Sequence, residues 1–101
     1  MPISITGRQG AVTITLSGEI DHHGARAMMG ELEEAIATLL PRKLTLDMSG
    51  VTFMDSSGIA VLLRVHRHMT QLGGTLTVTA IPTQPRRVLD AAGVGRIITL
   101  E

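Results

Sequence analysis

Cysteine, tryptophan and tyrosine are absent from the chain, and Phe53 is its one aromatic residue. Without cysteine there is no disulfide framework, no thiolate metal site and no cysteine nucleophile. Without a set of aromatics, the stacking platforms that hold single-stranded nucleic acid cannot be built. Nine basic residues balance nine acidic ones, giving formal net charge +0, so no overall field draws the protein to DNA or to an anionic membrane. The longest apolar run, Ile59 to Leu63, is far too short to span a bilayer, and Met1 to Ile5 has neither a basic n-region nor a long apolar h-region. These absences predict a cytoplasmic protein with no direct nucleic-acid partner and no membrane partner. Recognition must be local.

What the chain does have is apolar material for one core: 44% of its 101 residues are hydrophobic, drawn from Leu, Ile, Val, Met and Ala. That predicts a single domain over 1–101. Apolar residues alternate in Ile3-Ser4-Ile5 and in Val12 to Leu16, with Gly7 and Gly10 around a polar pair, which predicts a hairpin. From Ala25 to Leu40 the spacing changes to three- and four-residue steps, an amphipathic helix stopped near Pro41. A strand over Lys43–Met48, a helix from Ser56 to Leu72, a strand over Thr75–Ala80, a short helix over Pro85–Ala92 and a strand over Ile97–Leu100 complete the reading. Strands alternating with helices imply crossover connections. The fold class is therefore α/β, a mixed, mostly parallel sheet with an N-terminal β-hairpin and about three helices.

Between the third strand and the second helix stands Phe53-Met54-Asp55-Ser56-Ser57-Gly58-Ile59. Asp55 is placed to accept from the first free helix N–H groups, as an N-cap. On a wheel advancing about 100° per residue, Ile59, Leu62, Leu63, His66 and Met69 gather on one side and face the core. Ser57, Val61, Arg64 and His68 fall on the other side, so Ser57 is reachable by another macromolecule, and Ser56 sits on the flank. Asp21 similarly opens the first helix. If the two preceding strands are parallel, Asp21 and Ser57 share the carboxyl edge of the sheet, where open α/β sheets place their ligands.

Self-contained chemistry finds little support. A nucleophile elbow is written G-x-S-x-G, and around Ser57 both glycine positions are filled otherwise, by Asp55 and Ile59. His66 and His68, two apart on a helix, point about 200° away from each other and cannot share an ion, so no metal site is expected. Neither a G-x-x-x-x-G-K-[ST] loop nor a G-x-G-x-x-G fingerprint occurs, and no cofactor is expected.

The segments "SGEIDHHGA", "LDMSGVTFMDSSGIAVLL" and "RRVLDAAGVGRIITLE" resemble successive parts of the STAS-domain anti-anti-sigma factors, with "DHH" pointing to the sporulation, sigma-F type. The resemblance covers nearly the whole chain. It implies a protein that is not an enzyme. In that cycle the unmodified form binds an anti-sigma factor with serine kinase activity and frees a sigma factor. The kinase phosphorylates the second serine of Asp-Ser-Ser-Gly, here Ser57, and a separate serine phosphatase resets the switch.

Asp21, Asp55, Ser56, Gly58, Ala60, Val61 and Arg64 are the expected partner-binding residues. Asp21 is either a cap or a contact to a basic group on the kinase, and one carboxylate can be both. Gly58 would let the kinase approach Ser57 closely. Alternatives are a partner-switching module of another pathway, such as general stress, and, with least support, a small-molecule enzyme. Two departures from the sporulation type stand out: this sequence ends at Glu101, directly after the last strand where those relatives continue into a helix, and Pro82-Thr83-Gln84-Pro85 carries an additional proline.

Overall fold

The computed structural model describes residues 3–101; Met1 and Pro2, which the sequence reading places in the same domain, lie outside them. Strands β1 (Ile3–Arg8) and β2 (Ala11–Ile20) form the expected hairpin, followed by helix α1 (His22–Leu39), β3 (Lys43–Met54), α2 (Ser56–Gln71), β4 (Thr75–Thr79), α3 (Thr83–Ala91), a 3₁₀ turn (Val94–Arg96) and β5 (Thr99–Leu100). The sheet order is β1-β2-β3-β4-β5. β1 pairs antiparallel with β2, and every later pairing is parallel.

That order decides where the core lies. Each crossover from β2 onward steps one strand in the same direction, and right-handed crossovers then place all three helices on one face of the sheet. Burial follows suit. Val12, Ile14, Leu16, Leu44, Leu46, Met48, Leu76 and Val78 are buried beneath the helices, while the residues between them, Thr13, Thr15, Thr45, Asp47, Thr77 and Thr79, are only half-buried on the opposite face. Threonine suits that position, because its β-branched side chain fits a pleated surface and its hydroxyl can stay wet.

Several boundaries differ from the sequence expectation. β2 and β3 both run further, to Ile20 and Met54, because they continue to pair with each other through the glycine-containing segments Ser17-Gly18-Glu19 and Ser49-Gly50-Val51. Register shifts between Thr15 and Ser17 and between Gly18 and Glu19 absorb the irregularity, with Gly18 at φ 88°. Helix α3 begins at Thr83, two residues early, since Pro85 lies in a first turn whose N–H groups have no intrahelical partner. The last strand keeps only Thr99 and Leu100, because Gly93 at φ 70° leads the preceding residues into the 3₁₀ turn. Finally, α1 closes on Leu40 in the left-handed region (φ 46°), its N–H bonding to the Ile36 carbonyl, and Pro41 prevents any continuation.

Candidate functional site at the helix N-termini

The parallel β2–β3 pair carries the site. Ile20 is in register with Met54, so the residues that follow them, Asp21 and Asp55, leave the same edge of the sheet side by side. Each is an N-cap in extended conformation. Asp21 Oδ1 accepts from the Gly24 N–H at 2.7 Å, and Asp55 Oδ1 accepts from the Ser57 N–H at 2.7 Å. Each cap satisfies one of the orphan donors at a helix start.

The two segments also match in sequence, Asp21-His22-His23-Gly24 and Asp55-Ser56-Ser57-Gly58. Neither glycine has free room for a side chain. A Cβ on Gly24 would run into the Glu19 carbonyl, and one on Gly58 would run into the Met54 side chain. Gly58 is therefore buried and serves the packing of α2 on β3; close approach by a partner is not what its position explains. The repeated D-x-x-G spacing was a sequence signal for paired, tightly seated helix starts.

Between α1 and α2 runs an open cleft of about 460 Å³, lined by His22, Ala25, Arg26, Met29, Gly30 and Glu33 from α1 and by Ser57, Ala60, Val61 and Arg64 from α2. Ser57 is half-buried at its upper end, whereas Ser56 is exposed. Ala60 and Arg64 are exposed on the rim, and Arg64 Nε reaches Glu33 Oε1 across the cleft at 3.2 Å. With both side chains largely solvated, that ion pair is worth no more than about 1 kcal/mol.

Val61 corrects the helix wheel. It is 4% exposed and belongs to the core, as does Val65 at 0%. The buried side of α2 is Gly58, Val61, Leu62, Val65 and Met69, with Ile59, Leu63 and His66 only half-buried. A helix lying on a sheet beside a second helix buries the flank toward that neighbour as well, and here α1 covers Val61. Val61 is thus part of the cleft floor and does not project from the surface.

The α1 half of the cleft is missing from the sequence expectation. His22, Arg26, Met29 and Glu33 recur at helical spacing, but only the pairing of the two helices makes them one wall. Phe53 is a further omission. The one aromatic residue is 41% exposed at the same sheet edge, in register with Glu19.

Among the described residues no three His, Cys, Asp or Glu side chains come together as a metal site, and no helix is long and apolar enough to cross a membrane.

The STAS domain family matches residues 2–101. The anti-sigma F factor antagonist of Paenibacillus polymyxa is 30% identical over 100 residues, covering 99% of this chain and 86% of that protein. The protein of the same name from Lysinibacillus sphaericus is 32% identical over 85 residues, covering 83% and 72%. Among solved structures, the anti-sigma factor antagonist SpoIIAA in its unphosphorylated form superposes with a TM-score of 0.80 at 23% identity, covering 98% of this chain and 87% of that one. The Bacillus cell fate determinant SpoIIAA in its phosphorylated form gives 0.72 at 23% identity, covering 98% and 90%. Five strands in this order, three helices on one face and two aspartate-capped helix starts at one edge thus come with a match over essentially the full length: the chain belongs to the STAS domain family.

Proposed function

We propose that the protein is an anti-sigma factor antagonist switched by phosphorylation of Ser57. The unmodified form binds an anti-sigma factor that is also an ATP-dependent serine kinase, and a sigma factor is released. The kinase transfers phosphate to the Ser57 hydroxyl, the modified protein leaves, and a serine phosphatase resets it. The protein is ligand and substrate in this cycle, not an enzyme.

The observation that carries the reading is the position of Ser57, held by its own N–H on Asp55 at the head of the α1–α2 cleft. Two relatives that bear the anti-sigma F factor antagonist name support it, as does the fold shared with SpoIIAA, a protein with a phosphorylated form.

Phosphorylation adds about 1.5 to 2 negative charges and three strong acceptors. At a helix N-terminus such charge is favourable by about 0.3 to 1 kcal/mol, so the fold tolerates it. A docked partner does not. The phosphate would stand beside the Asp55 carboxylate and above a floor of Ala25, Met29 and Val61, where it must keep its water. A penalty of about 3 kcal/mol weakens binding on the order of a hundredfold, enough to exchange partners without refolding.

The test is incubation with the cognate anti-sigma kinase and ATP, followed by mass spectrometry of the peptide spanning Asp55 to Arg64. Phosphate on Ser57 is expected; phosphate on Ser56 alone, or none, overturns the reading. The Ser57→Asp variant should stay folded and bind the kinase roughly a hundredfold more weakly. Unchanged affinity would mean that charge at this position is not the switch.

A further inference from the structure

We propose that Gln84 is a positioning residue for the phosphorylation site, clamping the end of β3 in place of a missing strand. This rests on the reading of Ser57 as phosphoacceptor. The geometry is unusual for an exposed side chain. Gln84 Oε1 accepts from the Met54 N–H at 2.9 Å, and Gln84 Nε2 donates to the Met54 carbonyl at 2.8 Å, so one side-chain amide holds both backbone groups of one residue thirty positions away.

The need for it follows from the sheet. β3 pairs with β4 only as far as Asp47↔Thr79, yet it continues to Met54. On its other side β2 stays with it, and the Asp55 N–H bonds to the Ile20 carbonyl at 3.2 Å. Backbone groups alternate sides along a strand. With Asp55 turned to β2, the N–H and C=O of Met54 face the side that β4 has left. The primary amide, with one donor and one acceptor in a plane, fills that place as a strand backbone would.

Met54 is the hinge between β3 and the Asp55 cap. Its side chain packs under Gly58, and Ser57 follows three residues later. Fixing Met54 therefore fixes the direction in which α2 leaves the sheet and the place of the Ser57 hydroxyl. It also ties the site to α3, whose first turn carries Gln84.

The test uses Gln84→Leu and Gln84→Asn. The second keeps the amide but is one methylene too short to reach, so it covers the case in which the leucine variant does not fold. Amide hydrogen exchange at Met54 should become at least tenfold faster in either variant, while exchange in the buried centre of the sheet at Leu46 changes by less than twofold. In kinase assays kcat for Ser57 should fall about tenfold with KM within twofold, because the α1–α2 cleft is intact.

Unchanged Met54 exchange overturns the clamp. Faster exchange with unchanged kcat, or a rise in KM alone, overturns the positioning role. If wild-type protein takes no phosphate on Ser57, the phosphoacceptor reading fails instead, and the exchange arm still decides whether Gln84 holds Met54.

Discussion

Asp21 and Asp55 occupy equivalent places, one residue beyond the paired positions Ile20 and Met54, and each caps the helix that its own strand feeds. The two helix starts are thereby set side by side, and the α1–α2 cleft opens between them. Replacing either cap with alanine leaves an unsatisfied N–H at that helix start. Asp21→Ala and Asp55→Ala should each lower stability by about 1 kcal/mol in urea titrations. Because Asp55 holds the Ser57 N–H itself, Asp55→Ala should also slow phosphorylation at Ser57.

Gly58 tests how tightly α2 is seated. An added Cβ meets Met54 Sδ at 2.5 Å and Ile20 Cγ2 at 3.3 Å. Methionine can yield, but it is already fully buried, so Gly58→Ala should destabilise by about 1 to 3 kcal/mol through overpacking. In a Met54→Ala background, itself destabilised by the cavity, Gly58→Ala should cost less than it does in the wild type, a coupling readable by a double-mutant cycle in thermal denaturation.

Gly30 gives the opposite result. It lies in the exposed middle of α1, with nothing within 4 Å of where a Cβ would stand, and it lines the cleft. Gly30→Ala should raise stability by about 0.5 to 1 kcal/mol, the usual gain in a helix interior. If the cleft receives the anti-sigma factor, the same change should weaken that binding, measurable by calorimetry. Stability gained together with unchanged affinity would remove this wall from the interface.

Asp47 sets an acid limit. Its Oδ1 accepts from the Ser49 N–H at 2.8 Å where β3 bulges, and that bond, with a further one from the Ser49 side chain, holds its carboxyl below the ordinary value of 3.8. A lowered folded-state pKa contributes stability above the unfolded value and loses it as pH falls through the folded one. Asp47→Asn should therefore be less stable than wild type at pH 6, with the two curves converging as pH falls through the lowered folded-state value. Urea midpoints across pH 2.5 to 6 check it.

Much of the architecture was legible in the sequence because its periodicity changes so sharply, from alternation in Val12–Leu16 to three- and four-residue steps after Asp21. The rotational setting of α2 was not. Its apolar residues, from Val61 through Val65 and Leu62 to Ile59 and Leu63, span about 200° of the wheel, so the centre of the buried side depends on where α1 lies. The strand extensions were hidden for a similar reason: Gly18 and Gly50 read as breakers until β2 and β3 support each other across them. The caps Asp21 and Asp55 could be found because capping is local. Glu33, paired with Arg64, and Gln84, bonded to Met54, act across the fold, and nothing in their neighbourhoods along the chain announces it.

The helix-free face of the sheet divides the protein's tolerance for change into two unequal halves. Beneath the helices, losing a few methylenes from Leu46 or Val78 leaves a void that close-packed neighbours cannot fill. On the threonine face, half in water, serine, valine or lysine at Thr45 or Thr77 meets no opposing layer. Substitutions should accumulate there at little consequence, while the capped edge that carries Ser57 stays where it is.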